Sequence, residues 1–136
     1  MADDFSINVE FEKVENEGRF VRGFASVVTK GGKPVRDHQG DRIEIEDMRK
    51  AAHNFIREAR VAKAMHKGGQ IGEVVEAVMI DDEFAKALGV SDDRRGLWIT
   101  MQITDPDVQK RVAEKELKAF SIGGRGKRTK EADDEA

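Results

Sequence analysis

Apolar and polar residues alternate near the start of the chain. Phe5, Ile7, Val9 and Phe11 are separated by Ser6, Asn8 and Glu10, the period of two that predicts a strand with one buried face. Lys13 to Gly18 is polar and reads as a turn. A second extended run, Phe20 to Val28, carries Gly23 in its interior, which predicts a bulge or a close backbone approach. The cluster Lys30-Gly31-Gly32-Lys33-Pro34 ends it. Met48, Ala51, Ala52, Phe55, Ile56 and Ala59 then recur at helical spacing, with Glu46 and Asp47 in the first turn, so a helix is expected from about Glu46 to Val61. A short connection through Met65, His66 and Gly68-Gly69 leads to a Val- and Ile-rich strand, Ile71 to Ile80. Asp82 to Leu88 fits one or two helical turns stopped by Gly89.

Leu97, Ile99, Met101 and Ile103 alternate with Trp98, Thr100 and Gln102 and predict a further strand. Asp105 and Pro106 form an N-cap with proline in the first helical position. Val108, Val112, Ala113 and Leu117 give that helix an apolar face and carry it to about Lys118. Ala119 to Ile122 is short and apolar and meets Gly123-Gly124-Arg125-Gly126. Strands outnumber helices without a regular βαβ repeat. The expected fold is therefore mainly β with helices, an α+β chain in which a small closed or strongly curved β-barrel carries two principal packed helices. Residues 1–128 form the expected single domain; 129–136, charged and without a hydrophobic residue except Ala, form a flexible tail.

Composition narrows the chemistry. The chain has no cysteine, which excludes disulfides and thiolate metal sites. With 24 Lys+Arg against 27 Asp+Glu, a net charge of −3 provides no overall drive toward nucleic acid or membranes. The acidic start and the lack of a long apolar stretch predict a soluble intracellular protein. The basic stretch Arg125, Lys127, Arg128 and Lys130 is a candidate nucleic-acid arm, but Glu131, Asp133, Asp134 and Glu135 oppose it and no aromatic is interleaved for stacking.

Among the nucleophiles, Ser6 and Ser26 lie inside strand patterns and Ser91 in a polar turn. Ser121 interrupts an apolar run just before two glycines, so it is either a strand-end serine or a nucleophile beside backbone N–H groups. His53 belongs to a helix surface, His38 to the polar loop Asp37-His38-Gln39-Gly40-Asp41, and His66 to a short apolar segment at a strand edge. A neutral imidazole can take a serine proton. Asp37 and Asp41 either orient such a histidine or cap a tight turn with their side chains. A metal site built from Asp37, His38, Asp41 and His66 lacks a compact ligand spacing and ranks low.

The ordered set of these segments resembles a known family. The DHQGD loop, an amphipathic helix, His66 ahead of Gly72-Glu73-Val74-Val75-Glu76, then Gly96-Leu97-Trp98-Ile99, and finally Leu117 through Gly124 are similar to the tailed-bacteriophage prohead maturation proteases. Among these they resemble in particular the serine protease group named after XkdF. The resemblance covers about Val21 to Arg128 and implies a fold like that of the herpesvirus assemblin, with serine and histidine on neighbouring strands. It assigns Ser121 as nucleophile, His66 as catalytic histidine and the backbone near Gly123 and Gly124 as oxyanion hole. No histidine follows Ser121, so the third member departs from the herpesvirus pattern; Asp41 is favoured, then Asp37, then His38. The implied reaction is acyl transfer without cofactor or metal. The implied partners are the phage scaffold and the N-terminal segment of the major capsid protein, cut inside the assembling prohead in the host cytoplasm. Self-cleavage and a homo-oligomer are compatible with it. The competing expectation is a catalytically silent phage structural or scaffold-associated module with the same fold.

Overall fold

Leu97, Ile99, Met101 and Ile103 are 3, 0, 0 and 1% exposed, so the alternating run of strand β7 (Arg94–Ile103) lays one face into the core. The computed structural model describes the backbone of residues 3–36, 42–58, 63–66 and 69–126, and side chains within 8–36, 42–57 and 69–120. Around β7 lie β1 (Asp3–Glu10), β2 (Lys13–Glu15), β3 (Phe20–Lys30), β4 (Lys33–Pro34), β5 (Lys63–His66), β6 (Gly69–Ile80) and β8 (Ala119–Gly126). They form one 8-stranded sheet in the order β1-β8-β5-β6-β7-β3-β2, with β4 paired to β3. Every pairing is antiparallel.

The sheet curls strongly. β1 and β3 are separated in the ladder by β8, β5, β6 and β7, yet a Cβ on Gly23 would collide with the Glu10 carbonyl oxygen. The glycine inside the β3 pattern therefore marks a close approach, as expected, and lets the end of β1 lie on β3. Val9 and Val21 meet there at 0% exposure in a core that also takes in Ile71, Ile99, Met101, Val112 and Phe120.

The curl stops short of a closed barrel, against the closed alternative of the sequence reading. No ladder among the described residues joins β1 to β2 or β3. The reason is competition for an edge. β3 pairs with β7 on one side, and β2 occupies the other through Lys13–Arg22, Val14–Val21 and Glu15–Phe20. The segment read as a polar turn supplies that strand, followed by a 3-10 turn over Asn16–Gly18.

Three α-helices occur among the described residues: the two principal ones expected and the short helix expected at Asp82–Leu88. Helix α1 (Ile45–Glu58) packs on β3, β6, β7 and β8 and buries Ala52, with Met48 and Phe55 half-buried beside it. Ala51 and Ile56, assigned by the pattern to its apolar face, are exposed. Helix α2 (Asp82–Leu88) starts where the Asp81 carboxylate accepts the Phe84 N–H at 2.7 Å and stops at Gly89 in the left-handed conformation. Helix α3 (Pro106–Ala113) is capped by Asp105, which accepts N–H bonds from Asp107 and Val108 at 2.9 and 3.2 Å. It ends at Ala113, short of the expected Lys118, and Lys115 beyond it adopts a positive φ of 65°. Leu117 packs on the core from outside the helix. No helix among the described residues is long and apolar enough to cross a membrane. The expected tail, 129–136, lies outside the described residues.

Gly23→Ala tests the seating of β1 on β3. The added methyl meets backbone, so a loss of about 1–3 kcal/mol is expected, as for overpacked core sites. Chemical denaturation measures it; unchanged stability would show that the two strands do not touch.

Candidate active site

β8 is an interior strand, and its register follows from the core. Val9 pairs with Phe120, and both are buried, at 0 and 3% exposure. The next rung pairs Asn8 with Ser121. On the other side β5 meets β8 through Lys63–Gly123, Ala64–Ile122 and Met65–Ser121. Ser121 therefore occupies a rung with Asn8, which is exposed, on its β1 side and with Met65 on its β5 side.

His66 follows Met65 and is the last residue of β5, where it pairs with Gly69 of β6. The structure thus brings the strands of Ser121 and His66 side by side, and the ladder aligns Ser121 with Met65, one residue before His66. Met65–Ser121 is the last rung shared by β5 and β8, so position 66 lies beyond the segment whose alternation that ladder dictates. A β-bulge sits at this point on the β6 side: Ala64 pairs with Gly72 and Met65 with Gln70, which leaves Ile71 as the extra residue.

Gly123 and Gly124 also lie on rungs of the ladder. Gly123 pairs with Ser6 and Lys63, and Gly124 with Phe5. Asp37, His38 and Asp41 lie outside the described residues. The ends of their loop are brought together by an antiparallel bridge between Arg36 and Arg42. His53 is exposed on α1.

Among the described residues the perturbed titrations all reinforce ordinary charge. Hydrogen bonds from the Arg94 side chain and from its backbone N–H hold the Asp92 carboxyl well below the usual carboxylate range. The Phe84 N–H, then the Arg49 guanidinium, lowers Asp81, and the Arg22 guanidinium lowers Glu15. A general acid or base is usually shifted the other way, toward neutrality near pH 7. These pairs therefore fasten elements together: Arg49 ties α1 to the start of α2, and Arg94 ties β7 to Glu12 at 2.6 Å.

The outer face of β3, β6 and β7 carries a shallow depression of about 280 Å³ lined by Arg22, Glu76, Ala77, Val78, Trp98 and Thr100. Arg22 spans it, donating to Thr100 Oγ1 at 2.8 Å and to Glu76 at 3.0 Å. Thr100 is 2% exposed although it lies off the core face. The guanidinium covers its hydroxyl and satisfies it, so the depression has a structural explanation. No group of three or more His, Cys, Asp or Glu suited to a metal ion occurs among the described residues.

Sequence reasoning passed over Asn8. Its signal was present as a polar position in the first alternating run, but only the pairing of β1 with β8 brings it to the rung of Ser121.

Comparison with known proteins finds two relatives from Bacillus subtilis (strain 168). "Uncharacterized protein YqbD" is 27% identical over 89 residues, which is 65% of this chain and 27% of the relative. "Phage-like element PBSX protein XkdF" is 30% identical over 91 residues, 66% of this chain and 32% of the relative. The chain thus spans about a third or less of the length of these relatives. No solved structure matches. The family described as "Putative phage serine protease XkdF" matches residues 8–130, which takes in β8, β5 and the polar loop, and this chain belongs to that family.

Proposed function

We propose that this chain is a serine endopeptidase of phage prohead maturation. The observation supporting the reading is that β5 reaches β8 at the Met65–Ser121 rung, one residue from His66, in a chain of a family described as a phage serine protease. Ser121 is the nucleophile and His66 the base. Ser121 Oγ adds to the scissile carbonyl carbon while His66 takes its proton, and the imidazolium then protonates the leaving amine. Asp41 orients the histidine, with Asp37 and then His38 next in order. The side-chain-free backbone at Gly123 and Gly124 approaches the oxyanion without steric obstruction.

The substrates are the phage scaffold, the N-terminal segment of the major capsid protein and the protease itself, cut inside the assembling prohead in the host cytoplasm. The chemistry needs no cofactor. A second reading, a catalytically silent structural or scaffold-associated module, is favoured by one observation: the rung of Ser121 holds Met65 rather than His66.

The two readings separate on Ser121→Ala. Intact masses are measured after co-expression of wild type or variant with the neighbouring scaffold and capsid genes. The protease reading expects cleaved products with wild type and none with the variant, whose fold is retained because one oxygen is lost and no charge is stranded. Equal cleavage removes Ser121 as the nucleophile, and none in either selects the silent module.

For His66 the expected signature is a cleavage rate that falls as pH drops through about 6–7, where an ordinary imidazole gains its proton. A rate flat between about pH 5 and 8, with chemistry limiting, would remove the histidine from the mechanism.

Asp41→Asn is expected to lower turnover by up to about 10⁴, as loss of the orienting carboxylate does in serine-protease triads. Asp37→Asn and His38→Ala should cost much less. Near-normal rates in all three variants, with Ser121→Ala inactive, would mean that the loop supplies no third member.

A further inference from the structure

We propose that the Asn8 side-chain amide is an oxyanion donor of this site, which makes β1 a catalytic element as well as an edge strand. The inference rests on Ser121 being the nucleophile. Asn8 and Ser121 are direct partners in the β1–β8 ladder, and positions directly opposite in an antiparallel pair belong to the same face of the sheet. Their rung is adjacent to that of Val9 and Phe120, which is buried in the core. By strand alternation it belongs to the other face, and Asn8 is exposed there.

The donor supply at this rung points the same way. An oxyanion hole needs N–H groups that are not already engaged. Gly123 and Gly124 sit on rungs of the ladder with β1, and Gly123 also with β5, so strand pairing draws on the same backbone amides that face the oxyanion, and a side-chain donor adds to them. Asn8 carries two N–H donors outside the backbone ladder, and among the described residues its side chain has no hydrogen-bond partner. Of the polar side chains next to it on β1, the nearest described one is Glu10, an acceptor-only carboxylate when ionised.

The step is balanced without another reactant. As Ser121 Oγ bonds to the carbonyl carbon, the π pair of the C=O moves onto oxygen, and the Asn8 Nδ2–H donates to that oxyanion. When the pair returns, the C–N bond breaks and the amine leaves with the proton carried by His66. Asn8 gives up no proton and stabilises charge that exists only in the transition state and the tetrahedral intermediate.

The test uses the full chain and a peptide substrate spanning the scaffold cleavage site found by intact mass. Asn8→Ala should lower kcat by about 10²–10³ with KM little changed, the usual cost of removing one side-chain oxyanion donor. Asn8→Asp, which keeps the size and removes the donor, should fall at least as far. Asn8→Gln, which retains an amide, should recover part of the loss. Folding of each variant is checked by its thermal midpoint, which an exposed position should leave near the wild-type value.

A serine-directed fluorophosphonate, located by mass, reports the nucleophile independently. Labelling of wild type at Ser121, together with normal kcat in Asn8→Ala and Asn8→Asp, overturns the Asn8 proposal and leaves the nucleophile standing. A rise in KM at unchanged kcat overturns it too, because that is a ground-state contact. Absence of label at Ser121, with undiminished cleavage by Ser121→Ala, overturns both readings.

Discussion

The pairing of Val9 with Phe120 in the core governs the register of β1 on β8, and with it the neighbourhood of Ser121. Both residues are buried, and Phe11 packs edge-on against the Phe120 ring with centroids 4.7 Å apart. Because side chains alternate with a period of two, a slip of one residue would carry position 8 into the core and take Val9 out of it. Burying an unpartnered amide while exposing a valine costs several kcal/mol, so the apolar rung fixes the polar one beside it. Core packing alone therefore specifies which residue lies across from the candidate nucleophile.

Long, strictly periodic segments were legible in the sequence. The runs at Phe5–Phe11 and Leu97–Ile103 and the Asp105-Pro106 cap correspond to β1, β7 and the start of α3, because each carries its signal within itself. Short elements escaped. β2 has the residues Lys13, Val14 and Glu15, only one of them apolar, and it exists because β3 offers a free edge. β5 has four residues, and neighbours on both sides hold it. Closure was misjudged for the same reason: alternation says which face of a strand is wet, while the partner of each edge is settled by competition between distant segments. Gly23 is the intermediate case. A close approach was foreseeable from a glycine inside a strand, but that the approaching backbone belongs to Glu10 was not.

The candidate site divides along the same line. Ser121, its two glycines and His66 stood out by context, as a serine breaking an apolar run and a histidine at a strand edge. Asn8 carried no such mark, since a polar residue in an alternating strand is the ordinary case. Its significance is wholly a matter of pairing, which links residues more than a hundred positions apart in the chain.

The charged network explains how a chain that is 38% charged holds a curled, unclosed sheet. Arg94 donates to Glu12 and Asp92 and lies 4.8 Å from the centroid of the Phe24 ring. Glu12 follows the end of β1, and its N–H bonds the Arg22 carbonyl of β3 at 2.8 Å. One residue thus joins the β1–β2 turn to β3 through its backbone and to β7 through its carboxylate. Exposed ion pairs contribute little individually, but here the side chains on both sides of the Arg94–Glu12 pair are less than a third exposed, and the guanidinium also rests on an aromatic face. The clasp acts where a closed barrel would have a ladder. It holds the end of β1 against β3 without pairing the two strands, and so supports the edge strand whose Asn8 shares a rung with Ser121.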